Sequence, residues 1–407
     1  MTAYTGQVRV EGASPAPATV EPLDEHVSIA VQGGPPFVLP YVDIEDVLDR
    51  DYVLTLTDHT GRVLELSMFG AAYGQVLAEV AERRDKLLER DLLLRGVDLQ
   101  DTFPAKLFDG PESVPVQLRL YRDLLVVAPE RGTMFGVPFA FVEDVRWDPE
   151  LYQVSVAVDD GRTLVFGHLA KRSEEFHAEL GRLLEALARR TAVTLAALLP
   201  DADPRSLGGL AGLMRDGRAA QQREIEAVDP GLWPLLETAV PGTDDLRRSY
   251  QHLRSLAVPG WSAFGVKAVQ ESEDVADTAA TDRWYFCPLT RDGRPVNAVA
   301  QEVASGEGHA TYLYRPMEPD RFAALDGDAL AHAVAGAIRV LNRALLQLNF
   351  RREPLYVPEE ELTGAHARYR VALRKLDHLR WARAAFLGRA IHNATWEQQV
   401  ADLLSRA

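Results

Sequence analysis

The chain has 407 residues, of which 47% are hydrophobic and 26% charged, and its formal net charge is −16. These values are typical of a soluble globular protein of several domains, and they exclude a disordered or largely membrane-embedded chain. An acidic excess repels phosphate backbones and anionic lipid surfaces, so neither nucleic acid nor a membrane phosphoinositide is an expected partner. No amino-terminal hydrophobic leader and no apolar run of eighteen residues is found, which predicts a cytoplasmic protein.

One phrase occurs twice in the first half of the chain. LPYVDIEDV at 39–47 returns as VPFAFVEDV at 137–145, an offset of 98 residues. After a two-residue insertion the offset becomes 100, and it then pairs Tyr52 with Tyr152. The match runs through whole structural units, so the sequence predicts two copies of one domain.

The first copy contains about seven short strands followed by one helix. The second copy shows the reason most clearly, because apolar residues alternate with polar ones from 152 to 158 and a DDGR turn follows. The helix after it carries an apolar stripe with helical spacing, as does the helix of copy one at about 71–90. The strands of copy one are expected near 6–11, 18–23, 26–32, 36–40, 42–47, 52–58 and 62–68.

Seven antiparallel strands closed by an amphipathic helix, with LPYVDIEDV before an alternating hairpin, resemble the bacterial pleckstrin-homology-like (PH/GRAM-like) domains. The resemblance covers about residues 5–190 in two copies and implies a platform for lipid, phosphopeptide or protein ligands. Members that hold phosphoinositides place basic residues on the first strands and their loop. Here EGASPAPATVEPLDE has none, and copy two has only Lys106, Arg119 and Arg122 nearby. The resemblance therefore implies protein segments as ligands.

The repeated phrase itself has two explanations. Its alternating apolar residues are expected to point inward, which favours maintenance of the fold: Leu39, Tyr41, Val137 and Phe139. The Glu-Asp pair of each copy, at 45–46 and 143–144, is expected at an exposed strand end before a turn. A shared acidic binding site is the alternative.

The second half predicts a helical connector and then an α+β domain. The four predicted domains are 1–95, 96–190, 191–241 and 242–407, which makes the whole chain α+β. Strands are expected at SAFGVKAVQE, RWYFCPLT, PVNAVAQEV and ATYLYR, followed by a long helix with an apolar stripe from Leu330 to Leu348. Helices are then expected at about 364–391 and 394–405.

The C-terminal helices carry the one basic region, with twelve Arg or Lys against seven Asp or Glu from residue 337 onward. Four arginines at near-helical spacing form a candidate anion-binding face: Arg370, Arg374, Arg380 and Arg383. The alternative is that these helices pack on the acidic remainder of the chain and form ion pairs with it.

Catalytic and metal-binding motifs are missing from the sequence. There is no P-loop, GxGxxG, HExxH or GxSxG, so no cofactor or metal is expected, and Cys287 is expected to be a small buried hydrophobe. The sequence thus predicts a non-enzymatic cytoplasmic adaptor acting through protein contacts. Two alternatives stay open: a small-ligand or enzyme site at 243–350 around His309, Tyr312 and Arg283, and polyanion binding by the C-terminal arginines.

Overall fold

The computed structural model describes residues 2–94, 96, 98–130, 133–268, 281–304, 310–362 and 368–407. The chain is α+β, as predicted. It divides into two compact units, each formed by three separate segments of the chain. The first unit is Met1–Pro138, Val142–Leu180 and Ala367–Lys375, and the second is Phe139–Phe141, Gly181–His366 and Leu376–Ala407. The division into four domains stays a prediction.

The first unit begins with a seven-stranded antiparallel sheet closed by a helix. The strands are β1 (Tyr4–Val10), β2 (Ala16–Pro22), β3 (His26–Val31), β4 (Phe37–Pro40), β5 (Ile44–Arg50), β6 (Val53–Asp58) and β7 (Val63–Ser67). They lie in the order β4-β3-β2-β1-β7-β6-β5. Helix α1 (Tyr73–Asp91) then covers the core with Val76, Val80 and Leu87.

A second seven-stranded sheet repeats this arrangement. Its strands are β8 (Leu99–Asp109), β9 (Glu112–Tyr121), β10 (Leu124–Pro129), β11 (Phe135–Pro138), β12 (Val142–Asp148), β13 (Gln153–Val158) and β14 (Thr163–Gly167). Their order is β11-β10-β9-β8-β14-β13-β12, and helix α2 (Ser173–Leu198) follows. The prediction of two seven-stranded domains, each followed by a helix, is confirmed.

Alternation of side chains along the strands produces these sheets. In β6 every second residue is buried, and β13 shows the same pattern. The hairpins that follow turn at Gly61 and Gly161, whose φ angles of 84° and 85° are readily adopted only by glycine. Sequence and structure therefore agree most closely where the period of two is strict.

The repeated phrase is divided between two strands, as the strands expected near 36–40 and 42–47 imply. The expectation that its Glu-Asp pair ends a strand is wrong. In copy one β4 ends at Pro40, a 3-10 turn covers Tyr41–Asp43, and β5 begins at Ile44. Proline lacks the N–H that a continuing strand ladder needs, so the chain leaves the sheet here. Leu39 and Tyr41 are fully buried, as expected. Glu45 lies at the start of a strand, directly after the 3-10 turn.

The two seven-stranded domains are linked by ion pairs between α1 and β9. Arg119 donates from Nη1 to Glu89 Oε2 at 2.6 Å and from Nη2 to Asp85 Oδ2 at 2.9 Å. The hydroxyl of Tyr121 also donates to Glu89. The helix that closes the first sheet is thereby attached to the second.

The second unit contains a six-stranded antiparallel sheet. Its strands are β15 (Ala220–Gln221), β16 (Ala263–Ala268), β17 (Thr281–Arg291), β18 (Arg294–Val303), β19 (Ala310–Tyr314) and β20 (Phe386–Ile391), in sequence order across the sheet. The four strands that the sequence predicts correspond to β16–β19.

Helices cover both faces of this sheet. The helices that follow α2 in the chain are α3 (Pro204–Leu213), α4 (Gln222–Val228), α5 (Leu232–Ala239), α6 (Asp244–Leu256), α7 (Pro319–Ala323), α8 (Gly327–Gln347), α9 (Glu353–Tyr356), α10 (Arg368–Lys375), α11 (Asp377–Ala385) and α12 (Trp396–Leu404). Helix α10 belongs to the first unit. On one face of the sheet Tyr285 packs with α6 and α12 in a continuous core. On the other face Trp284 Nε1 donates to Asn342 Oδ1 of α8 at 2.8 Å.

One expected helix is wrong in part, because residues 386–391 form strand β20 at the edge of the sheet. FLGRAI is apolar enough for either structure, and pairing with β19 decides between them. Gly388 permits the close packing of α12, since a Cβ there would lie 2.3 Å from Leu403 Cδ2. The predicted connector also contains a strand, β15, which joins the same sheet.

Helix α8 is long and apolar enough to span a membrane by length and composition alone. More than half of its most apolar stretch is buried inside the protein, among it Leu330, Ile338, Leu341 and Leu345. It therefore contributes most of this stretch to the core of the second unit.

Candidate protein-binding site

The turn after β4 and the start of β5 form an acidic surface that helix α1 holds in place. Arg84 of α1 is buried and donates from Nε to the carbonyl of Ile44 at 3.2 Å and from Nη2 to that of Glu45 at 2.8 Å. Burial lowers the pKa of Arg84, while neighbouring carboxylates including Glu45 and Asp46 oppose that change. Arg84 thus binds backbone carbonyl groups of this surface, and Asp43 Oδ1 also lies 3.4 Å from His59 Nδ1.

Helix α10 binds to this acidic surface through its last two residues. Arg374 Nη2 donates to the carbonyl of Val42 and to Asp43 Oδ1, both at 3.0 Å. Lys375 Nζ donates to Glu45 Oε1 at 2.6 Å. Burial lowers the pKa of Lys375, and the Glu45 carboxylate opposes this by favouring the ammonium form. The contact thus consists of charge-assisted hydrogen bonds from Arg374 and from Lys375.

Four other residues of α10 are shielded from solvent: Tyr369, Val371, Ala372 and Leu373. Arg370 is partly exposed. The helix is therefore a basic amphipathic segment whose last two cations, Arg374 and Lys375, contact the acidic surface. The structure brings Arg374 to a binding role, but the partner is a carboxylate of the same chain.

The corresponding surface of the second domain has different chemistry at one position. At the offset of 98 residues, Asp43 corresponds to Phe141, and Glu45 corresponds to Glu143. The guanidinium of Arg343 lies 4.9 Å from the centroid of the Phe141 ring, both residues belonging to the second unit. An arginine thus contacts the same position of the repeat in both copies, through an ion pair in one and a cation–π contact in the other.

The four candidate anion-binding arginines occupy two helices in different units. Arg370 and Arg374 lie on α10, and Arg374 contacts Asp43 as described above. On α11, Arg380 pairs with Asp377, and Arg383 Nη1 donates to the carbonyl of Pro354 at 2.6 Å. Polyanion binding by these arginines stays a prediction.

The expected site around His309, Tyr312 and Arg283 is not assembled in the part of the chain that the structure describes. His309 lies outside the described residues. Tyr312 shares a sheet face with Gln301, its cross-strand partner, whereas Arg283 lies on the opposite face, donating from Nη1 to the carbonyl of Ala239 at 2.9 Å. Tyr312 and Arg283 therefore do not converge.

Cys287 is fully buried, as predicted for a small hydrophobe. Burial raises the pKa of its thiol to about 12. A thiol that is neutral and inaccessible is neither a nucleophile nor a metal ligand. Among the described residues no group of three or more His, Cys, Asp or Glu side chains is placed to hold a metal ion.

A buried polar network that the sequence did not indicate lies on the sheet face that packs against α6 and α12. Thr311 Oγ1 donates to Glu302 Oε2 at 2.7 Å, and Trp396 Nε1 donates to Thr311 Oγ1 at 3.0 Å. His392 Nε2 lies 3.2 Å from Glu302 Oε1, and its Nδ1 lies 3.3 Å from Ser249 Oγ. Because its members are dispersed along the chain, no local motif could reveal it.

The series Ser249, His392 and Glu302 has the components of a hydrolytic triad. Ser249 is nevertheless buried on the face of α6 that packs on the sheet, and its Oγ also donates to the carbonyl of Asp245 within the helix. A nucleophile must be reached by its substrate. We therefore assign the network to fixing α6, α12 and the sheet together.

Each seven-stranded domain also presents one exposed tyrosine at the same turn. Tyr52 is 77% exposed and Tyr152 is 63% exposed, and their φ angles are 60° and 52°. A bulky residue in the left-handed region is uncommon and strained. The tyrosine is retained in both copies although the turn before it differs in length and composition. The sequence showed that both copies have tyrosine at this position, but not that the two side chains are exposed.

No protein-family model matches the chain, and no curated protein sequence matches it. Among solved structures, the C-terminal domain of an unknown protein from Leishmania infantum is similar at 14% identity and a TM-score of 0.22, covering 25% of this chain and 97% of that one. The Spt16D Pob3N heterodimer is similar at 12% identity and a TM-score of 0.18, covering 40% of this chain and 86% of that one. With TM-scores this low, neither similarity carries an argument about function.

Proposed function

We propose that the protein is a non-enzymatic cytoplasmic adaptor whose two seven-stranded domains are PH-like and act through protein contacts. The strand order β4-β3-β2-β1-β7-β6-β5, its repetition in the second sheet, and the helix that follows each sheet support this proposal. Such a platform can present both acidic turns and sheet edges to protein segments.

The observation that carries the proposal is the binding of α10 at the acidic surface of the first domain. Asp43 and Glu45 receive an arginine and a lysine from consecutive positions of a helix that also buries Tyr369, Val371, Ala372 and Leu373. The partner chemistry that this surface fits is therefore a basic amphipathic helix. In this mode the apolar face supplies affinity, and the paired charges select the partner and fix its register.

The basic residues of the second domain support a protein ligand over a phosphoinositide headgroup. Arg119 forms ion pairs with Asp85 and Glu89, and Arg122 Nη1 lies 3.5 Å from Asp98 Oδ2. Headgroup binding requires several cations directed at one phosphate cluster. These two arginines have carboxylate partners within the chain.

A labelled peptide that spans residues 368–378 tests the recognition chemistry directly. In the wild-type full-length chain α10 competes with it, so we expect little binding by fluorescence anisotropy. In full-length Arg374→Ala/Lys375→Ala the helix of the chain is weakened, and we expect the peptide to bind.

The additional change Asp43→Lys/Glu45→Lys should abolish this binding, because it reverses the charge of the acidic surface. Asp144→Lys is the matched control, since Asp144 is the second acidic residue of the same phrase in the other copy. Binding that is equal in all four proteins, or absent from all of them, would contradict the proposal.

Affinity capture of the tagged full-length protein from its native cytosol, with nuclease treatment, tests the function itself. We expect a protein partner that Arg374→Ala/Lys375→Ala retains in stoichiometric amount and the wild type in smaller amount, because α10 competes with it. In the Arg374→Ala/Lys375→Ala background, Asp144→Lys should keep this partner and Asp43→Lys/Glu45→Lys should lose it. Retention of nucleic acid alone, abolished by the nuclease, would refute the adaptor function.

A further inference from the structure

The sheet face of the second unit that packs away from α6 carries a group of polar side chains with unused hydrogen-bonding capacity. Gln301 lies opposite Tyr312, and Val299 lies opposite Tyr314, in the antiparallel pairing of β18 with β19. Cross-strand neighbours point to the same side of a sheet. Gln301, Tyr312 and Tyr314 therefore share one face.

Several polar atoms on this face have no hydrogen-bond partner among the described residues. They are the amide nitrogen and oxygen of Gln301, the hydroxyl of Tyr314 and Oδ1 of Asn297. Gln301 and Tyr314 are fully buried. Buried polar groups in proteins nearly always have partners, so a concentration of unpaired ones requires an explanation.

Arg352, which directly precedes α9, brings a positive charge to this group. Its guanidinium lies 4.5 Å from the centroid of the Tyr312 ring, and its Nε and Nη1 are buried with no partner in the described part of the chain. Burial raises the pKa of Tyr314, and the positive charge of Arg352 opposes this.

Aromatic side chains connect the group to the surface. Tyr312 stacks with Tyr356 at 6.4 Å between ring centroids, and Phe386 contacts both rings. The exposed Arg389 lies over the Tyr356 ring at 4.7 Å and donates to its hydroxyl. The face is thus lined by planar rings and arginines from its buried end to solvent.

We propose that this face binds a small organic oxyanion, a carboxylate or a phosphate ester attached to a planar ring. Arg352 and Tyr314 supply donors for the oxyanion, the Gln301 amide pairs with a polar ring edge, and Tyr312 supplies an aromatic surface. This ligand site lies in the second unit and is separate from the acidic surface of the first domain.

Calorimetric titration of the full-length protein with benzoate, benzamide and inorganic phosphate tests the proposal. We expect binding of benzoate, of phosphate, or of both, and no binding of neutral benzamide. Benzoate alone would identify a carboxylate as the ligand class, and phosphate alone would identify a phosphate. Failure of both anions to bind, or equal binding of benzamide, would overturn the proposal.

Arg352→Gln should weaken binding of whichever anion binds by about tenfold or more, the effect of losing one charge-assisted hydrogen bond. The neighbouring exposed Arg351→Gln is the matched control and should leave the affinity unchanged. Tyr314→Phe removes only a hydroxyl and provides a second test if Arg352→Gln does not fold. If the Arg352 and Arg351 variants bound the anion equally, or if Tyr314→Phe bound it as the wild type does, the assignment would be wrong.

Discussion

Lys375 Nζ lies 2.6 Å from Glu45 Oε1, although the Lys375 side chain is only 4% exposed. Burial lowers the pKa of this lysine, and Glu45 is the carboxylate that opposes the change. A shielded ammonium group is tolerated only when a paired carboxylate compensates for its lost hydration. The glutamate of the repeated phrase is therefore required by α10 in the first domain, as well as being part of the fold.

Replacing Glu45 by Ala should lower the free energy of unfolding by about 2–4 kcal/mol, because it leaves a buried ammonium group unpaired. Lys375→Met should cost less, since Glu45 is partly exposed and can be hydrated. Urea unfolding of both variants checks this asymmetry. Asp144→Ala, at an exposed carboxylate in the second copy, should change stability by less than about 0.5 kcal/mol. Equal losses for Glu45→Ala and Asp144→Ala would argue against the pairing.

The link between the two seven-stranded domains makes a second prediction. Arg119→Met removes a guanidinium that contacts Asp85 and Glu89 and should cost about 2–3 kcal/mol. Burial already raises the pKa of Asp85 and Arg119 opposes this, so the variant raises it further. When the pKa of a carboxyl group is higher in the folded state than in the unfolded state, the free energy of unfolding falls as pH rises from the unfolded-state pKa to the folded-state pKa. The loss measured by urea unfolding should thus be larger at pH 7 than near pH 4.

Arg9→Met is the control for that experiment. Arg9 pairs with Glu65 at 2.9 Å, but both side chains are about as exposed as typical surface residues. Its removal should cost less than about 1 kcal/mol at either pH. A cost for Arg119→Met no larger than this would show that the two domains do not depend on the α1–β9 contact.

The two seven-stranded sheets could be predicted because the residue patterns that form their strands and turns lie within short stretches of sequence. The strict alternation in 152–158 and the glycine turns at Gly61 and Gly161 gave both the hairpins and their register. The division of the repeated phrase was predicted by the strands expected near 36–40 and 42–47. The 3-10 turn at Tyr41–Asp43 was missed because three residues leave the apolar spacing almost unchanged. Strand β20 was missed because an edge strand of six residues depends on β19, which lies more than seventy residues earlier.

The sites depended on contacts that no local pattern contains. Glu45 and Lys375 are 330 residues apart, and the network of Ser249, His392 and Glu302 joins three separate segments. The sequence offered ion pairs between the C-terminal cations and acidic residues of the chain as an alternative, and in the structure Arg374 pairs with Asp43 and Lys375 with Glu45. The carboxylate with which each cation pairs could be identified only from the folded structure.

Cys287 predicts a pH dependence of stability at alkaline pH. Burial raises the pKa of its thiol to about 12, well above the ordinary value of about 8.5. Since the folded-state pKa is raised, the stabilising contribution is complete below the unfolded value and is lost as pH rises through the folded one. We expect the difference in unfolding free energy between wild type and Cys287→Ala to shrink steadily between about pH 9 and pH 12. A difference that does not vary over this range would contradict the assigned pKa.

The two exposed tyrosines allow strain and function to be separated. Tyr52 and Tyr152 adopt the left-handed conformation that glycine adopts without strain. Each ring also makes an edge contact, with Tyr73 and Trp147 respectively, so relief of strain and loss of this contact offset each other. Tyr→Gly at either site should therefore change stability by less than about 1 kcal/mol. Exposed tyrosine is also favoured at protein interfaces. We therefore expect Tyr52→Gly/Tyr152→Gly to unfold like the wild type in urea while retaining less partner in affinity capture. Met68 is the matched control, because it is 72% exposed with a φ of 62° but is replaced by histidine in the second copy. Met68→Gly should relieve similar strain and leave the amount of captured partner unchanged. If the double tyrosine variant lost stability but kept its partner, the tyrosines would have a structural role only.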